Sequence, residues 1–345
     1  KQKTAYEIYQ CDWSSDVCSS DLGDRSFDTA AGLRNFGGLI ASAGRPDEAE
    51  ELLKQAAAIM ADPKTRVRQV SIKADTYRQL GRVQLARRAY ADAAASFQSG
   101  LDALPPNDSL PVIRAQLYTG LAETGIAQGD FARAIDSASR SAQLLRATML
   151  PHVTQRVDAE MTAALALTRL GRNDDAWAAA LPIARAMEAK LRDDHLSARG
   201  RAGLLNIYRR NFARFADIAY HSGHLDEAFR AAQLAAFSEI SQSARMLALR
   251  AASTNADAAA LVQQVEQSQD ELYRLDRERN FALGRAAGYA DELGARFDAA
   301  SAKLDAQLAR LKQLFPDYAR LALPEPMTVD AARARLKAEI GRAHV

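Results

Sequence analysis

Residues 77–105 read YRQLGRVQLARRAYADAAASFQSGLDALP. Alanine, leucine, arginine and glutamine have high helix propensity, and the only proline in the stretch is its last residue. A short polar step, Ala86-Arg-Arg-Ala89, separates two halves of helical length. The stretch therefore predicts two helices, here called helix A and helix B, joined by a tight turn.

The same pattern recurs along the chain as a small residue, a polar turn and then an alanine. Four copies run Gly44–Ala49, Gly129–Ala134, Gly171–Ala176 and Gly223–Ala228, whereas the copy in residues 77–105 lacks the glycine and ends at Ala93. The five alanines are 44, 41, 42 and 52 residues apart. One helical pair cannot bury its apolar face alone, so we expect the pairs to stack.

Composition agrees with a helical chain and excludes several classes of protein. Of 345 residues, 72 are alanine, 7% are aromatic and only 10 are proline. No apolar run reaches the roughly 18 residues that a membrane-spanning helix needs. Two cysteines cannot make a disulfide-rich scaffold. The net charge is only +2, with 36 arginines and 9 lysines interleaved with acidic residues. We therefore expect no nucleic-acid partner and no membrane partner.

Residues 77–105 resemble the tetratricopeptide repeat, a helix-turn-helix unit of about 34 residues. The residues at the family's spacing are Tyr77, Leu80, Gly81, Ala93, Phe97 and Pro105. The resemblance implies an all-α fold, a right-handed superhelical α-solenoid of helix-turn-helix repeats. We expect about five repeats in residues 23–252; an alanine-rich bundle without regular stacking is the alternative.

The other copies share one register with residues 77–105. The small position of helix A holds Gly37, Gly81, Ala122, Ala164 and Ala216. Four residues earlier, a bulky side chain recurs as Leu33, Tyr77, Tyr118 and Phe212, and Glu160 interrupts the series. The aromatic of helix B is kept only as Phe97, and the later copies have Ala138, Ala180 and Ala232. Small facing residues predict close approach of helices A and B.

Beyond the repeats, the pattern predicts longer helices. Residues 231–252 read as one helix, and residues 253–315 as a long antiparallel helical hairpin. Its first apolar stripe is Val262, Val265, Leu272, Leu275 and Leu283; its second is Phe297, Leu304, Leu308, Leu311 and Phe315. Pro316 ends the hairpin, and Leu323-Pro-Glu-Pro326 is an extended linker. Thr328 or Asp330 then caps a short helix, DAARARL.

This order of elements resembles the region that precedes the caspase-like CHAT domain of bacterial repeat proteins. The resemblance covers residues 231–337, and its best part runs from Phe315-Pro-Asp-Tyr318 to Pro326. It implies that residues 316–338 are a linker and the start of a further domain, which would carry a catalytic His and Cys. Residues 23–338 contain no cysteine. We therefore expect no catalysis by this fragment, because such a peptidase needs a thiolate nucleophile.

The two ends of the chain encode opposite strands of the same DNA. Residues 339–345, EIGRAHV, can be written as codons whose reverse complement translates to DVCSSDL, the sequence of residues 16–22. KQKTAYEI at residues 1–8 also resembles a translated index primer. We interpret residues 1–22 and 339–345 as translated short-read sequencing adapter on a metagenomic fragment. The compartment is then unknown, with the cytoplasm slightly favoured.

Other candidate chemistry has a structural explanation. His221 and His224 flank a turn, and no carboxylate or thiol cluster completes a metal site, so we expect solvated turn histidines and no metal or cofactor. The neighbouring carboxylates Asp174-Asp175 and Asp193-Asp194 each lie near a predicted helix start, where they cap free amides. Acid–base catalysis is the weaker interpretation of these pairs.

The remaining functional surface is the concave face that helix A of each repeat lines. In the family's register, the residues on or near it are Arg34, Arg78, Arg82, Gln116, Glu123, Arg169, Arg210 and Asp217. The sequence predicts a non-catalytic scaffold that binds a protein or peptide in this groove. The first alternative is the recruiting arm of a CHAT-type cysteine peptidase, and the weaker alternative is the arm of a transcription regulator.

Overall fold

The computed structural model describes residues 26–106, 110–193, 195–196, 198–236, 256–282, 287–314 and 326–343. Those residues form thirteen helices and no strand, which confirms the all-α prediction. The chain divides after Met149 into two compact units. Each unit is built from helical hairpins, because short turns with left-handed residues reverse the chain between long alanine-rich helices.

The first unit contains three consecutive hairpins. They are α1 (Phe27–Ser42) with α2 (Pro46–Ala61), α3 (Val70–Ala86) with α4 (Tyr90–Asp102), and α5 (Pro111–Gln128) with α6 (Phe131–Arg146). Each B helix packs on the next A helix, since α2 contacts α3 and α4 contacts α5. The A helices also contact one another, α1 with α3 and α3 with α5. This is the nested stacking that the repeat pattern predicts.

The second unit contains two further hairpins and three more helices. The hairpins are α7 (Thr154–Arg169) with α8 (Asn173–Leu191), and α9 (Ala198–His221) with α10 (225–236). Then follow α11 (Ala256–Ala282), α12 (Ala287–Leu314) and α13 (Val329–Ala343). The A helix α9 contacts both α7 and α8, so the nesting of the first unit recurs here.

One turn geometry joins helix A to helix B in all five hairpins. A residue with positive φ donates its N–H to the carbonyl three residues back, and the next residue donates to the carbonyl five residues back, at 2.8–3.2 Å. This pair of bonds is the Schellman motif, which satisfies the last carbonyls of a helix. The positive-φ residues are Gly44, Arg88, Gly129, Gly171 and Gly223. The copy without glycine therefore makes the same turn with an arginine.

The alanine five residues after each turn is buried in every hairpin. Ala49, Ala93, Ala134 and Ala176 are fully buried, and Ala228 is 9% exposed. Each of these alanines donates its N–H to the carbonyl four residues back, inside the turn. The recurring alanine is therefore the point at which the first turn of helix B packs against helix A.

Side-chain volumes at the A–B contact are complementary within each hairpin. A methyl group added at Gly37 would lie 2.9 Å from Leu53, and one at Gly81 would lie 2.8 Å from the Phe97 ring. Glycine on helix A thus faces a bulky residue on helix B. In the next two hairpins the corresponding register positions are all fully buried alanines: Ala122 and Ala138, and Ala164 and Ala180.

One register expectation needs correction, and one interruption of the register is explained by an ion pair. Ala232 is exposed, and the buried residues of α10 are Ala228, Ala231 and Leu234, because those positions form the stripe that faces α9. Glu160 interrupts the bulky series but is nevertheless buried, since Arg156 one turn earlier donates from Nε to its carboxylate at 2.9 Å.

The long hairpin is antiparallel, as predicted. The start of α11, at Leu261 and Val262, packs with the end of α12, at Leu308 and Leu311, whereas Leu275 packs with Leu293. Most of the predicted stripe residues are buried, and Phe297 is partly buried; Leu283 and Phe315 lie outside the described residues, as do residues 237–252 of the predicted long helix. Helix α13 continues to Ala343 without a break at residue 338.

Candidate peptide-binding face

The candidate site is the A-helix face, which is defined separately for each unit. In the first unit α1, α3 and α5 form it, and in the second unit α7 and α9 form it. In the first unit a carboxylate from α3 joins two adjacent A helices. Arg34 of α1 donates from Nη1 to Asp75 Oδ2 at 3.0 Å. Arg78 donates to Asp75 Oδ1 from Nε at 2.8 Å and from Nη2 at 2.6 Å. The structure thus brings together two of the predicted arginines.

This cluster carries an excess of positive charge. The side chains of Arg34, Asp75 and Arg78 are only 18–19% exposed, so water screens them less than a surface pair. The amide of Gln79 adds a fourth hydrogen bond, to Asp75 Oδ2 at 2.7 Å. Arg82, one turn beyond Arg78 on α3, is exposed, and no described residue pairs with its side chain. Two guanidinium groups therefore share one carboxylate, and the third, on Arg82, has no carboxylate partner among the described residues.

Sequence reasoning missed Asp75, although the repeat register contained the signal. Asp75 lies six residues before the small residue Gly81, as Gln116 lies six before Ala122 and Arg210 six before Ala216. Gln116 and Arg210 were predicted in this register, and the same spacing also selects Asp158. Asp158 accepts from the side-chain amide of Asn211 at 2.8 Å, which links α7 to α9.

In the second unit two predicted residues form an ion pair, and a third lines a separate groove. Arg169 of α7 donates from Nη2 to Asp217 Oδ2 of α9 at 2.7 Å, and His221 Nε2 lies 3.3 Å from Asp217 Oδ1. Arg210 lies elsewhere, on a groove of about 540 Å³ between α9 and α10. Its lining residues are Asn206, Arg209, Arg210, Ala213, Ala232, Ala235 and Ala236. Arg169 and Asp217 therefore neutralise each other's charge.

Gln116 and Glu123, on α5, complete the predicted set. Both side chains are partly buried. The hydrogen bonds of the Asp75 carboxylate go to Arg34, Arg78 and Gln79. The structure therefore places the predicted residues of the first unit on adjacent A helices, with the arginines of α1 and α3 as the charged centre.

The histidines have structural partners. His224 is only partly exposed and stacks on Trp177 with ring centroids 3.8 Å apart, which corrects the expectation of a solvated turn residue. His195 Nε2 lies 2.7 Å from Asp305 Oδ1. Burial lowers the pKa of His152, whose backbone carbonyl accepts from the Tyr208 hydroxyl. Among the described residues no three histidine, cysteine or acidic side chains form a group that could hold a metal ion.

The paired carboxylates differ from one another. Asp174 and Asp175 lie in the first turn of α8, as predicted. Asp193 instead follows the end of α8, where its carboxylate accepts from Lys190 Nζ at 2.7 Å and from the His195 N–H at 3.0 Å. Partial burial opposes ionisation of Asp193, but these bonds outweigh it and lower its pKa. It therefore stabilises a loop, whereas Asp194 lies outside the described residues.

Comparisons with known proteins return structures but no family. No family model and no curated protein matches the chain. Three of the solved structures that align with the chain do so at low identity and low TM-score. YrrB, described as a TPR protein with an unusual peptide-binding site, is 14% identical over 60% of this chain and 84% of its own (TM-score 0.35). MamA is 17% identical over 60% of this chain and 96% of its own (TM-score 0.36). TTC0263, a thermophilic TPR protein of Thermus thermophilus, is 17% identical over 59% and 98% (TM-score 0.35).

None of the described helices combines the length and the apolar content that a membrane span needs.

Proposed function

We propose that this chain is a non-catalytic repeat scaffold that binds an acidic protein or peptide along the A-helix face of its first unit. The observation that carries the proposal is the charge imbalance around Asp75. Arg34 and Arg78 already satisfy that carboxylate, and Arg82 has none among the described residues. A guanidinium group is a planar donor that pairs with a carboxylate through two parallel bonds, so Arg82 is the natural anchor for an acidic side chain of the partner.

The stacking of the helices supports the same function. Adjacent A helices place polar side chains at regular intervals along one surface, and an extended or helical peptide can contact several of them at once. Asp75 holds Arg34 and Arg78 in place, so these side chains lose little freedom when a ligand binds. A basic surface whose side chains are held in place favours non-catalytic binding of an acidic partner.

Selection from a random peptide library displayed on phage tests the proposal. The purified chain should enrich peptides rich in Asp and Glu, because the face presents more guanidinium groups than carboxylates. Binding of a selected peptide, followed by fluorescence anisotropy, should weaken at least tenfold in Arg82→Glu, since the change replaces attraction with repulsion.

The matched control is Arg133→Glu. Arg133 is an exposed arginine of the B helix α6, and its side chain likewise has no partner among the described residues. The same charge change there should leave the affinity of the selected peptide nearly unaltered. Equal losses in both variants would indicate general electrostatic attraction, and no loss in either would refute the A-helix site.

The alternative is that these repeats recruit a substrate or activator for a CHAT-type cysteine peptidase. The favouring observation is that α13 begins at Val329, just after the proline-containing segment, where the resemblance expects a helix. The nucleotide sequence of the intact gene tests it. A His and a Cys at the ends of predicted parallel strands would support the alternative, whereas a different module would refute it.

A further inference from the structure

Residues 326–329 lie against α10, the B helix of the last repeat, and α10 contacts them through their backbone. The side-chain amide of Gln233 makes two hydrogen bonds to a single residue. Its Oε1 accepts from the Met327 N–H at 2.9 Å, and its Nε2 donates to the Met327 carbonyl at 2.9 Å. A neighbouring antiparallel strand makes the same exchange with one residue of an extended chain. Gln233 therefore recognises extended backbone and not a particular side chain.

A second residue of α10, Asp226, contacts the same segment at Val329. Asp226 lies seven residues before Gln233, and so on the same side of the helix. Its Oδ1 accepts from the Val329 N–H at 3.1 Å. Val329 is the first residue of α13, and the first N–H groups of a helix have no partner inside it. The carboxylate also lies at the positive end of the helix dipole.

The segment itself is suited to this contact. Pro326 fixes its own φ, which reduces the freedom that the segment loses when it is held. Thr328 caps α13 from within, since its Oγ1 accepts from the Ala331 N–H at 3.2 Å. The Thr328 side chain does not accept from the Val329 N–H, and Asp226 supplies that acceptor. Together, the two α10 side chains recognise an extended residue followed directly by a capped helix start.

We propose that the side of α10 carrying Asp226 and Gln233 is a docking site for an extended segment that turns into a helix, and that residues 326–329 of this chain are its resident occupant. Three hydrogen bonds suffice because the segment is tethered to the same chain, which keeps its effective concentration high. The same small number of bonds makes the occupant displaceable by a segment of the same form. The docking site is independent of the A-helix face of the first unit.

Amide exchange of the full chain tests whether the segment is held as described. In Gln233→Ala, exchange of the Met327 amide measured by NMR should accelerate about tenfold, because the change removes the side chain that accepts its hydrogen bond. Gln98→Ala, which removes an exposed glutamine from α4, is the control and should leave Met327 unchanged. Equal exchange in wild type and Gln233→Ala would overturn the resident contact.

A peptide added in trans tests the docking site itself. A fluorescent peptide of residues 323–334 should bind the full-length Met327→Pro chain, in which the resident segment has lost its N–H donor, at least tenfold more tightly than wild type. Adding Gln233→Ala to Met327→Pro should abolish that gain, whereas adding Gln98→Ala should not. Equal affinity for wild type and Met327→Pro, or an unaltered gain in the double variant, would overturn the proposal. Amide protection in α9 checks that each variant is folded.

Discussion

Arg88 occupies a left-handed backbone position that the other four turns give to glycine. Its φ is 64°, close to the 76–81° of those glycines, and it makes the same pair of turn hydrogen bonds. An L-residue in this region has its Cβ close to the following carbonyl oxygen, which costs about 1–2 kcal/mol. The turn is maintained because packing of the buried Ala93 and the helices on either side fixes the chain path.

We expect Arg88→Gly to stabilise the first unit by about 1 kcal/mol, because glycine adopts this conformation without the steric cost. Urea denaturation followed by circular dichroism measures the effect. The reciprocal control is Gly129→Ala, where an added methyl group meets no atom within 4 Å, so backbone strain alone should destabilise that turn by a similar amount. An unchanged or lower midpoint for Arg88→Gly would contradict the assigned strain.

Phe97 provides a second prediction at this scale. Its ring is fully buried and faces Gly81 of α3 and Gly120 of α5, which leave no room for a methyl group. Gly81→Ala should therefore destabilise the chain by about 1–3 kcal/mol through overpacking. In a Phe97→Ala background, which itself costs about 3–5 kcal/mol, the space is free, and the higher helix propensity of alanine should make Gly81→Ala stabilising. A double-mutant cycle measures this reversal of sign, and additive effects would refute the contact.

Helices α2 and α3 are joined by a buried carboxylate. The Glu50 side chain is 5% exposed and pairs with Lys54 of its own helix and with Arg87, which caps α3. Burial opposes ionisation, but the hydrogen bonds and charges of Lys54 and Arg87 outweigh it and lower the pKa of Glu50 below 4.5. A lowered pKa means that the pair stabilises the fold above about pH 4.5, and that this stabilisation is lost as pH falls through the folded-state pKa.

Glu50→Gln should therefore lower stability at pH 7 by about 1–2 kcal/mol, the effect of losing a charged partner in a buried hydrogen bond. Below about pH 4.5 the difference between wild type and Glu50→Gln should shrink, since the wild-type carboxyl becomes protonated as pH falls through its folded-state pKa. Denaturant midpoints measured from about pH 3 to pH 7 check both points. Glu51→Gln, at the exposed neighbouring position, should show neither effect.

The sequence predicts those features of a helix that a periodic residue pattern marks, and it misses contacts that no such pattern marks. The alanine after each turn and the apolar stripes of the long hairpin repeat at fixed intervals, and their residues are buried or partly buried where described. The spacing around His224 predicts a solvated turn residue, because it does not show that this turn packs on Trp177 of α8. Such contacts between helices depend on packing angles, which spacing along one chain does not encode.

The candidate site follows the same rule. The register predicts Arg34, Arg78 and Arg82 because their positions recur relative to the small residue, and it contains the position of Asp75 but not the contacts of its carboxylate. Its role appears only when α1 and α3 lie side by side, so that one carboxylate reaches both Arg34 and Arg78. The docking of residues 326–329 was likewise unpredictable, since it joins Gln233 to a segment 94 residues away.

At the scale of the whole molecule, charge distribution matters more than net charge. The chain carries 45 basic and 43 acidic residues, yet the A-helix face of the first unit concentrates guanidinium groups around one carboxylate. We therefore expect binding of a selected acidic peptide to weaken several-fold when salt rises from about 0.05 M to about 0.5 M, because salt screens exposed charges. Anisotropy titrations at both concentrations measure this, and a salt-independent affinity would indicate apolar recognition instead.

The central claim is that A helices, and not B helices, contact the partner. Hydrogen–deuterium exchange of the full chain with and without a selected acidic peptide tests it most directly. The account predicts that the bound peptide slows amide exchange in α1, α3 and α5 and leaves exchange in α2, α4 and α6 unchanged. Protection confined to the B helices of the first unit, or no protection at a saturating concentration of the peptide, would contradict it.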